Sequence, residues 1–224
     1  RAPTPPPPTP PPPVPLFPPL PPPTGATPYA GPARSLFRTN SRAVVVGPEV
    51  TVVLLISGST RSASTNSAAL RTVQAIAPAD IETRWYDGLA ELPAFNPDDD
   101  GTGHPSVLAL REALCAADAV LFCTPEYAGT LPGSLKNLLD WTVGTADLYE
   151  KPTAWLTVAV PGRGEGATAT LASVLGYVGA AVDPGVPARL PVLREDLGAD
   201  GLVAAAEFRT GAGDLLRRLV AQTQ

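Results

Sequence analysis

From Val50 onward, short runs of apolar residues alternate with stretches in which apolar residues recur every three or four positions. The run VTVVLLIS at 50–57 is continuously apolar and rich in β-branched residues, which is typical of a strand buried on both faces. The segment 67–77 then places Leu70, Val73 and Ile76 at helical spacing, which predicts an amphipathic helix. The same pair of patterns repeats towards the end of the chain.

This repetition predicts strands that alternate with helices. The predicted strands are 50–57, 81–87, 119–124, 153–160 and 188–193, and the predicted helices are 67–77, 106–117, 131–143, 167–178 and about 202–221. Such alternation requires parallel strands joined by right-handed crossovers. We therefore expect an α/β fold with a flavodoxin-like, doubly wound five-stranded sheet of order 2-1-3-4-5. Ligands bind such sheets beyond the carboxyl ends of the strands, so the loops after strands 1, 3 and 4 are the places to look for a site.

Proline separates a different kind of segment from this pattern. Of the 29 prolines, 17 lie within residues 1–32, where the missing amide donor and fixed φ exclude a helix or a central strand. Residues 1–48 are therefore expected to be a disordered proline-rich extension, and residues 49–224 a single domain.

Charge and cysteine content narrow the function classes. A net charge of −5 argues against nucleic acid and anionic membranes as partners. No apolar run is long enough to span a membrane and no secretory signal is recognised, so a cytoplasmic protein is expected. Cys115 and Cys123 lie in apolar surroundings without metal-ligand spacing, and both are interpreted as reduced core residues.

The loop after the first strand, GSTRSASTNS at 58–67, is rich in hydrogen-bond donors. It carries six hydroxyl side chains, an arginine and an asparagine, and it leads into a helix. A helix N-terminus with added hydroxyls and a guanidinium favours binding of a phosphate group without a metal. An ordinary polar loop with an N-cap serine remains the alternative. The Gly-Lys-Ser/Thr of a nucleoside triphosphatase is absent from this loop.

The loops after strands 3 and 4 are consistent with a planar ligand. In TPEYAGTLPGSLKNLLDW at 124–141, backbone amides and Tyr127 could line a ring, although the segment alone could equally be a simple helix entry. In PGRGEGA at 161–167, the glycines allow close approach of a flat ring. The spacing Gly162-x-Gly164-x-x-Ala167, with Asp183 further on, also matches a dinucleotide-binding fingerprint, but too little chain follows for such a domain.

Taken together, the three segments GSTRSASTN, PEYAGTLPGSLKNLLDW and PGRGEGA resemble the NADPH-dependent FMN reductase family, which includes chromate, quinone and azo-dye reductases. The resemblance runs from about residue 51 to 182 and is most specific in the PEY…LKN…DW segment. It implies a flavodoxin-like fold, non-covalently bound FMN, and dimers or tetramers.

The resemblance also implies which residues hold the cofactor. Ser59, Arg61, Ser64 and Asn66 would bind the FMN phosphate, Pro125, Glu126, Tyr127 and Gly129 would lie along the isoalloxazine ring, and Gly162 and Gly164 would lie near its other edge. Many relatives have asparagine where this chain has Ala128, so this chain lacks a side-chain amide that could contact the substrate at that position.

The implied activity is oxidation of NADPH or NADH through FMN, with electrons passed to a small acceptor such as a quinone, free flavin, azo compound or metal oxyanion. Since one cleft would serve both substrates, a ping-pong mechanism is expected, without a catalytic side-chain acid or base. The alternative is a flavodoxin-like electron carrier that does not itself oxidise NAD(P)H. One helix has more apolar surface than a single core-facing stripe needs, which either adds support for a homo-oligomer or indicates a buried helix; its apolar residues are Leu135, Leu138, Leu139 and Trp141.

Overall fold

A computed structural model describes residues 50–223, so the predicted extension over residues 1–48 lies outside the described residues. The strands are β1 (Thr51–Ser57), β2 (Ile81–Tyr86), β3 (Ala119–Cys123), β4 (Thr153–Thr157) and β5 (Ala188–Arg189). The helices are α1 (Thr65–Ile76), α2 (Pro105–Cys115), α3 (Gly133–Trp141), α4 (Glu165–Tyr177) and α5 (Ala206–Val220). All strand pairs are parallel and the order is β2-β1-β3-β4-β5, which confirms the predicted flavodoxin-like sheet.

The sheet is covered on both faces, as the continuously apolar strands predicted. Val53 and Leu55 of β1 pack in a core that includes α1 and α5, whereas Leu54 and Ile56 pack in a second core that includes α2, α3 and α4. Because alternate side chains of a strand point to opposite faces, one strand contributes to both cores.

Helix α3 is buried within this second core. Leu135, Leu138 and Leu139 are fully inaccessible and Trp141 is 1% exposed, so their apolar surface is already covered by the chain itself. The composition of this helix therefore gives no support for a homo-oligomer, which is expected from the family resemblance alone.

Two predicted strands end early. Strand β4 stops at Thr157, and β5 contains two residues where six were predicted. Pro187 and Pro191 bracket β5, and proline cannot donate to a ladder, which is typical of an edge strand. The chain nevertheless continues beside β4, because the amides of Leu190 and Val192 donate to the carbonyls of Thr157 and Val158 at 2.8 and 2.9 Å.

The two cysteines differ in environment. Cys123 is fully buried in β3, as predicted, but Cys115 is exposed at the end of α2. The preceding Leu114 faces the core, and the next residue of a helix is rotated by about 100° from it, so the prediction for Cys115 was wrong. Neither thiol is in a disulfide.

Between residues 50 and 223, no helix is long and apolar enough to cross a membrane. The same residues contain no group of three or more His, Cys, Asp or Glu side chains placed to hold a metal ion.

Candidate functional site

The loops after β1 and β3 are held in direct contact at their first residues. The amide of Gly58 donates to the carbonyl of Cys123 at 2.8 Å. A Cβ at position 58 would overlap the side chain of Thr124, so only glycine allows this approach. The close contact brings the donor-rich loop beside the segment that begins at Pro125.

Two serines of the donor-rich loop stabilise the loop itself. Ser64 is the N-cap of α1, and its hydroxyl accepts from the amide of Ser67 at 3.4 Å. The hydroxyl of Ser59 accepts from the amide of Arg61 at 3.3 Å. The N-cap serine of the polar-loop alternative is thus present, but it accounts for only part of the loop.

The remaining backbone donors of this loop are uncommitted. Within residues 50–223, the amides of Thr60, Ser62 and residues 63–66 have no acceptor. Amides without acceptors at the start of a twelve-residue helix, together with the positive end of its dipole, form an environment suited to an anion.

A cavity of about 370 Å³ opens against these donors. Its lining includes Ser59, Arg61, Ser64, Asn66, Pro125, Tyr127 and Arg194, and we call it the anion cavity. The guanidinium of Arg61 is exposed and makes no ion pair or hydrogen bond to any residue that the structure describes. An arginine without a counterion beside free amides fits a phosphate group well.

Asn66 provides a buried amide at the same place. It is 7% exposed, and its Oδ1 accepts from the Cys123 thiol at 3.3 Å. Burial raises the pKa of this thiol, so Cys123 remains a protonated donor at neutral pH. The Asn66 Nδ2 group has no acceptor in the described part of the chain and is left available to a ligand in the cavity.

The loop after β3 contains a tight turn. Tyr127 and Thr130 exchange backbone hydrogen bonds of 3.0 and 3.1 Å, and the two residues between them have positive φ, 51° at Ala128 and 76° at Gly129. Two successive positive φ values are typical of a type I′ turn, which favours glycine and asparagine. Tyr127 projects from the turn with 54% of its surface exposed. Ala128 is thus held in a backbone conformation that its side chain disfavours.

Contacts between the turn and α4 fix the loop after β4. The Oε2 atom of Glu126 accepts from the amide of Ala167 at 3.1 Å, which places a carboxylate at the N-terminus of α4. A Cβ at Gly166 would overlap the carbonyl oxygen of Gly129. Gly162 and Gly164 have φ of 82° and 83°, a left-handed backbone conformation that favours glycine at both positions.

Arg189 stabilises the same loop from β5. Its Nη1 donates to the carbonyls of Ala159, Val160 and Arg163 at 2.9, 3.2 and 2.8 Å. Its Nη2 lies 3.2 Å from Glu165 Oε1. One guanidinium therefore fixes both the glycine-containing loop and the start of α4. Sequence reasoning did not identify Arg189, because nothing local distinguishes it from a surface arginine.

A second cavity of about 450 Å³ lies between these loops. Its lining includes Asn66, Pro125, Glu126, Gly162, Gly164, Val192 and Leu193, and we call it the ring cavity. It shares Thr65, Asn66 and Pro125 with the anion cavity, so the two are neighbouring parts of one cleft.

The structure thus brings nearly all the predicted site residues to the two cavities. The exception is Gly129, which lines neither cavity and packs its carbonyl against Gly166. Residues 192–194 line the cleft but were not predicted, since they follow a weak edge strand without a recognisable motif.

The dinucleotide-fingerprint alternative fails on geometry. The glycines follow β4 instead of the first strand. Asp183 lies just beyond Ala181, which pairs with Pro152 at the start of β4. It is therefore near the amino-terminal ends of the strands, whereas Gly162 and Gly164 lie beyond the carboxyl end of β4. Its Oδ1 accepts from the amide of Gly185 at 2.8 Å within a local turn.

Comparison with known proteins identifies the group to which this architecture belongs. Residues 51–188 match the family described as NADPH-dependent FMN reductase. The chain is 44% identical over 90 residues to an NAD(P)H-dependent FMN reductase of Pseudomonas aeruginosa, covering 40% of this chain and 48% of that protein. It is 38% identical over 91 residues to a quinone reductase of Escherichia coli K12, covering 40% and 48% respectively. The matches span about half the length of these curated relatives.

A solved structure resembles the chain over a longer range. FerB, a flavoenzyme NAD(P)H:(acceptor) oxidoreductase from Paracoccus denitrificans, superposes with a TM-score of 0.69 and 28% identity. The superposition covers 78% of this chain and 97% of that one, so the likeness includes β5 and the segment after it.

Proposed function

Since this chain belongs to the NADPH-dependent FMN reductase family, we propose that it is an FMN-dependent NAD(P)H oxidoreductase. In this proposal it transfers electrons from NADPH or NADH, through non-covalently bound FMN, to a small acceptor. The proposed acceptors are quinones, free flavins, azo compounds or metal oxyanions. The relatives named as FMN, quinone and NAD(P)H:acceptor reductases support this choice.

The observation that carries the proposal is the pairing of two different cavities in one cleft. The anion cavity offers uncommitted amides and Arg61, and the ring cavity is walled by glycines and by Val192 and Leu193. A ligand with a phosphate at one end and a flat ring system at the other has the chemistry to occupy both. FMN has these two ends, so the residues present fit the cofactor.

The residues have separate roles in this proposal. Ser59, Ser64 and the loop amides shape the phosphate site, Arg61 pairs with the phosphate, and Asn66 donates at the junction of the cavities. FMN, when bound, supplies the hydride-accepting chemistry. Pro125 and Glu126 line the ring, while Gly162 and Gly164 keep Cβ atoms away from its other edge.

No side-chain acid or base is assigned to catalysis. Tyr127 lies at the mouth of the cleft, where a planar substrate can stack on its exposed ring. One such position above the flavin would serve nicotinamide and acceptor in turn. We therefore propose that the two substrates alternate, in a ping-pong mechanism.

An electron carrier of the flavodoxin type is the second candidate. Carriers of this kind present acidic surfaces around the flavin to dock cationic partners, whereas this cleft is lined by Arg61, Arg163 and Arg194. Among residues 50–223, the one acidic residue in this lining is Glu126, which accepts from the amide of Ala167 in the first turn of α4. The surroundings of the cleft therefore favour small anionic substrates, such as NAD(P)H, over a cationic protein partner.

Anaerobic spectroscopy on the full chain tests the proposal. Purified protein should be yellow, and NADPH or NADH should bleach the flavin absorbance before any acceptor is added. Double-reciprocal plots with a quinone should then give parallel lines. Bleaching by dithionite but by neither nucleotide would establish the carrier instead, and intersecting lines would refute alternation in one position.

Tyr127→Ala separates substrate stacking from cofactor binding. We expect slower turnover of nicotinamide and quinone with FMN retained, since the phosphate contacts are unaffected. An equal loss of FMN would place Tyr127 against the cofactor itself.

The remaining assignments are also proposals. Residues 49–224 are proposed to carry the complete cofactor site in one domain. A homodimer or homotetramer is proposed from the family resemblance. A cytoplasmic location, with neither nucleic acid nor membrane as a partner, is proposed from the charge and the apolar pattern of the sequence.

A further inference from the structure

Arg194 lies beyond the family-matched segment, yet it reaches the cleft. The family match ends at residue 188, and Arg194 begins the short 3₁₀ turn Arg194–Asp196 after β5. Arg194 lines the anion cavity together with Arg61, Ser59 and Ser64. The lining of the anion cavity therefore includes a second arginine, from a part of the chain more than a hundred residues away.

The backbone that carries Arg194 is held on both sides. Before it, Val192 is 5% exposed and donates to Val158 beside β4. After it, the Oδ2 atom of Asp196 accepts from the amide of Leu193 at 2.7 Å, and the amide of Asp196 donates to the carbonyl of Leu193 at 3.2 Å. The carbonyl of Asp196 accepts from Ala204 at 3.0 Å. The position of Arg194 over the cleft is thus fixed by the fold, although its side chain is exposed.

The guanidinium of Arg194 is also uncommitted. It forms no ion pair and no hydrogen bond with the residues that the structure describes, and the same is true of Arg61. Arg71, which lines an adjoining cavity with both arginines, is by contrast engaged: it stacks over Trp85 at 3.7 Å and donates to Gln74 at 2.9 Å. Two of the three arginines near the loop therefore keep their charge available for a ligand.

The charge of a phosphate monoester requires more than one cation. Near neutral pH such a group carries about two negative charges. Arg61 supplies one positive charge and the N-terminus of α1 roughly half of another. Without a ligand, two like charges lining one cavity repel each other, and a dianion between them removes that repulsion.

The neighbouring residues 192 and 193 line the ring cavity, whereas residue 194 lines the anion cavity. We propose that segment 192–194 runs along the bound FMN, with Arg194 as a second phosphate-binding residue. Leu193, which is 48% exposed, would cover apolar surface of the cofactor between the two ends. This inference rests on the proposed function, because it assumes that FMN occupies the cleft.

Titration of flavins into the apoprotein tests the role of Arg194. In Arg194→Ala, the dissociation constant for FMN should rise by about 10- to 30-fold, as for a lost charge-assisted hydrogen bond. That for riboflavin, which lacks the phosphate, should change less than about twofold. Arg194→Lys should retain part of the FMN affinity because it keeps the charge.

Arg217→Ala is the matched control. Arg217 is an exposed arginine of α5, its Nη2 lies 2.8 Å from Asp214 Oδ1, and it lines none of the three cavities. The change removes the same charge from the chain, so it should leave both flavin affinities unaltered.

The outcomes separate this inference from the proposed function. If the unaltered protein binds FMN and Arg194→Ala binds it equally well, Arg194 does not contact the phosphate and the inference is overturned. Equal losses for FMN and riboflavin would likewise overturn it, since the effect would then lie in the fold of the segment. If the unaltered protein binds neither flavin, the proposed function itself is wrong.

Discussion

At the anion cavity the charged side chain of Arg61 has no partner among residues 50–223, whereas at the ring cavity the carboxylate of Glu126 is bound within the protein. Arg61 and six amides of the first loop have no acceptor among residues 50–223. The carboxylate of Glu126 and the guanidinium of Arg189 are instead bound to α4 and to the loop before it. The anion cavity can therefore bind a charged group of a ligand directly, whereas the shape of the ring cavity is held by contacts within the protein.

This difference explains what a substitution should do at each end. Where donors are free, removing one changes affinity for the ligand and leaves the fold intact. Where donors and glycines hold two loops together, a substitution changes the fold first and the affinity as a consequence. Stability and phosphate-dependent affinity are thus the two measurements that distinguish the ends.

Gly166→Ala should have the largest effect and should damage the ring end. The added Cβ overlaps the carbonyl of Gly129, a backbone atom that can move only with the whole turn. We expect a loss of about 3 kcal/mol in the free energy of unfolding, at the upper end for overpacking, measured by denaturant titration.

Gly176→Ala is the control for this substitution. Gly176 lies in the same helix, and a Cβ there meets nothing within 4 Å. Alanine is the better helix former, so this variant should be unchanged or more stable by about 0.5 kcal/mol. Similar losses of unfolding free energy in both variants would show that the close contact between Gly166 and the Gly129 carbonyl does not cause the destabilisation.

Arg61→Ala should have the next largest effect and should act only at the anion end. FMN binding should weaken by about 2 kcal/mol, which is about 30-fold, because one charge-assisted hydrogen bond is lost. Riboflavin affinity and melting temperature should hardly change, since Arg61 is exposed and has no described partner to lose. A fall in riboflavin affinity as large as that for FMN would contradict a phosphate contact.

Ala128→Asn should have the smallest effect and should stabilise the turn after β3. Asparagine tolerates the left-handed backbone at φ 51° better than alanine does, so the protein should gain about 0.5 kcal/mol in the free energy of unfolding.

Ala146→Asn offers a comparison outside the cleft, because Ala146 has φ 53° and lies in the loop after α3, whereas Ala128 follows Tyr127, which lines the anion cavity. Both substitutions should raise the melting temperature, but only that at Ala128 should alter the KM for a quinone. If neither variant is stabilised, the positive φ values at Ala128 and Ala146 do not destabilise the protein as expected.

The residues of the anion cavity could be predicted from the sequence more fully than the contacts around the ring cavity. Ser59, Arg61, Ser64 and Asn66 lie within eight consecutive residues after a clear strand, so their chemistry was recognisable before their positions were known. The order of the sheet followed equally well from the alternating pattern, because topology depends on the long elements.

The ring end depends on residues that are distant in sequence. Glu126 was predicted to lie along the ring, but its bond to Ala167 needed the fold to be seen. Arg189 and Arg194 carry no local signal, and the importance of Gly166 arises only from a backbone 37 residues earlier, at Gly129. The error at Cys115 also arose from position, because Cys115 is exposed although it directly follows the buried Leu114 in α2.

The position of β5 late in the chain has a consequence for synthesis on the ribosome. Arg189, which fixes the loop after β4, and residues 192–194, which line the cleft, all follow residue 188. A nascent chain can therefore form β1 to β4 and expose the donor-rich loop while the cleft still lacks one wall. Parallel strands joined by long crossovers pair late in folding. The proposed cofactor site is therefore complete only after residues 189–194 have left the ribosomal tunnel.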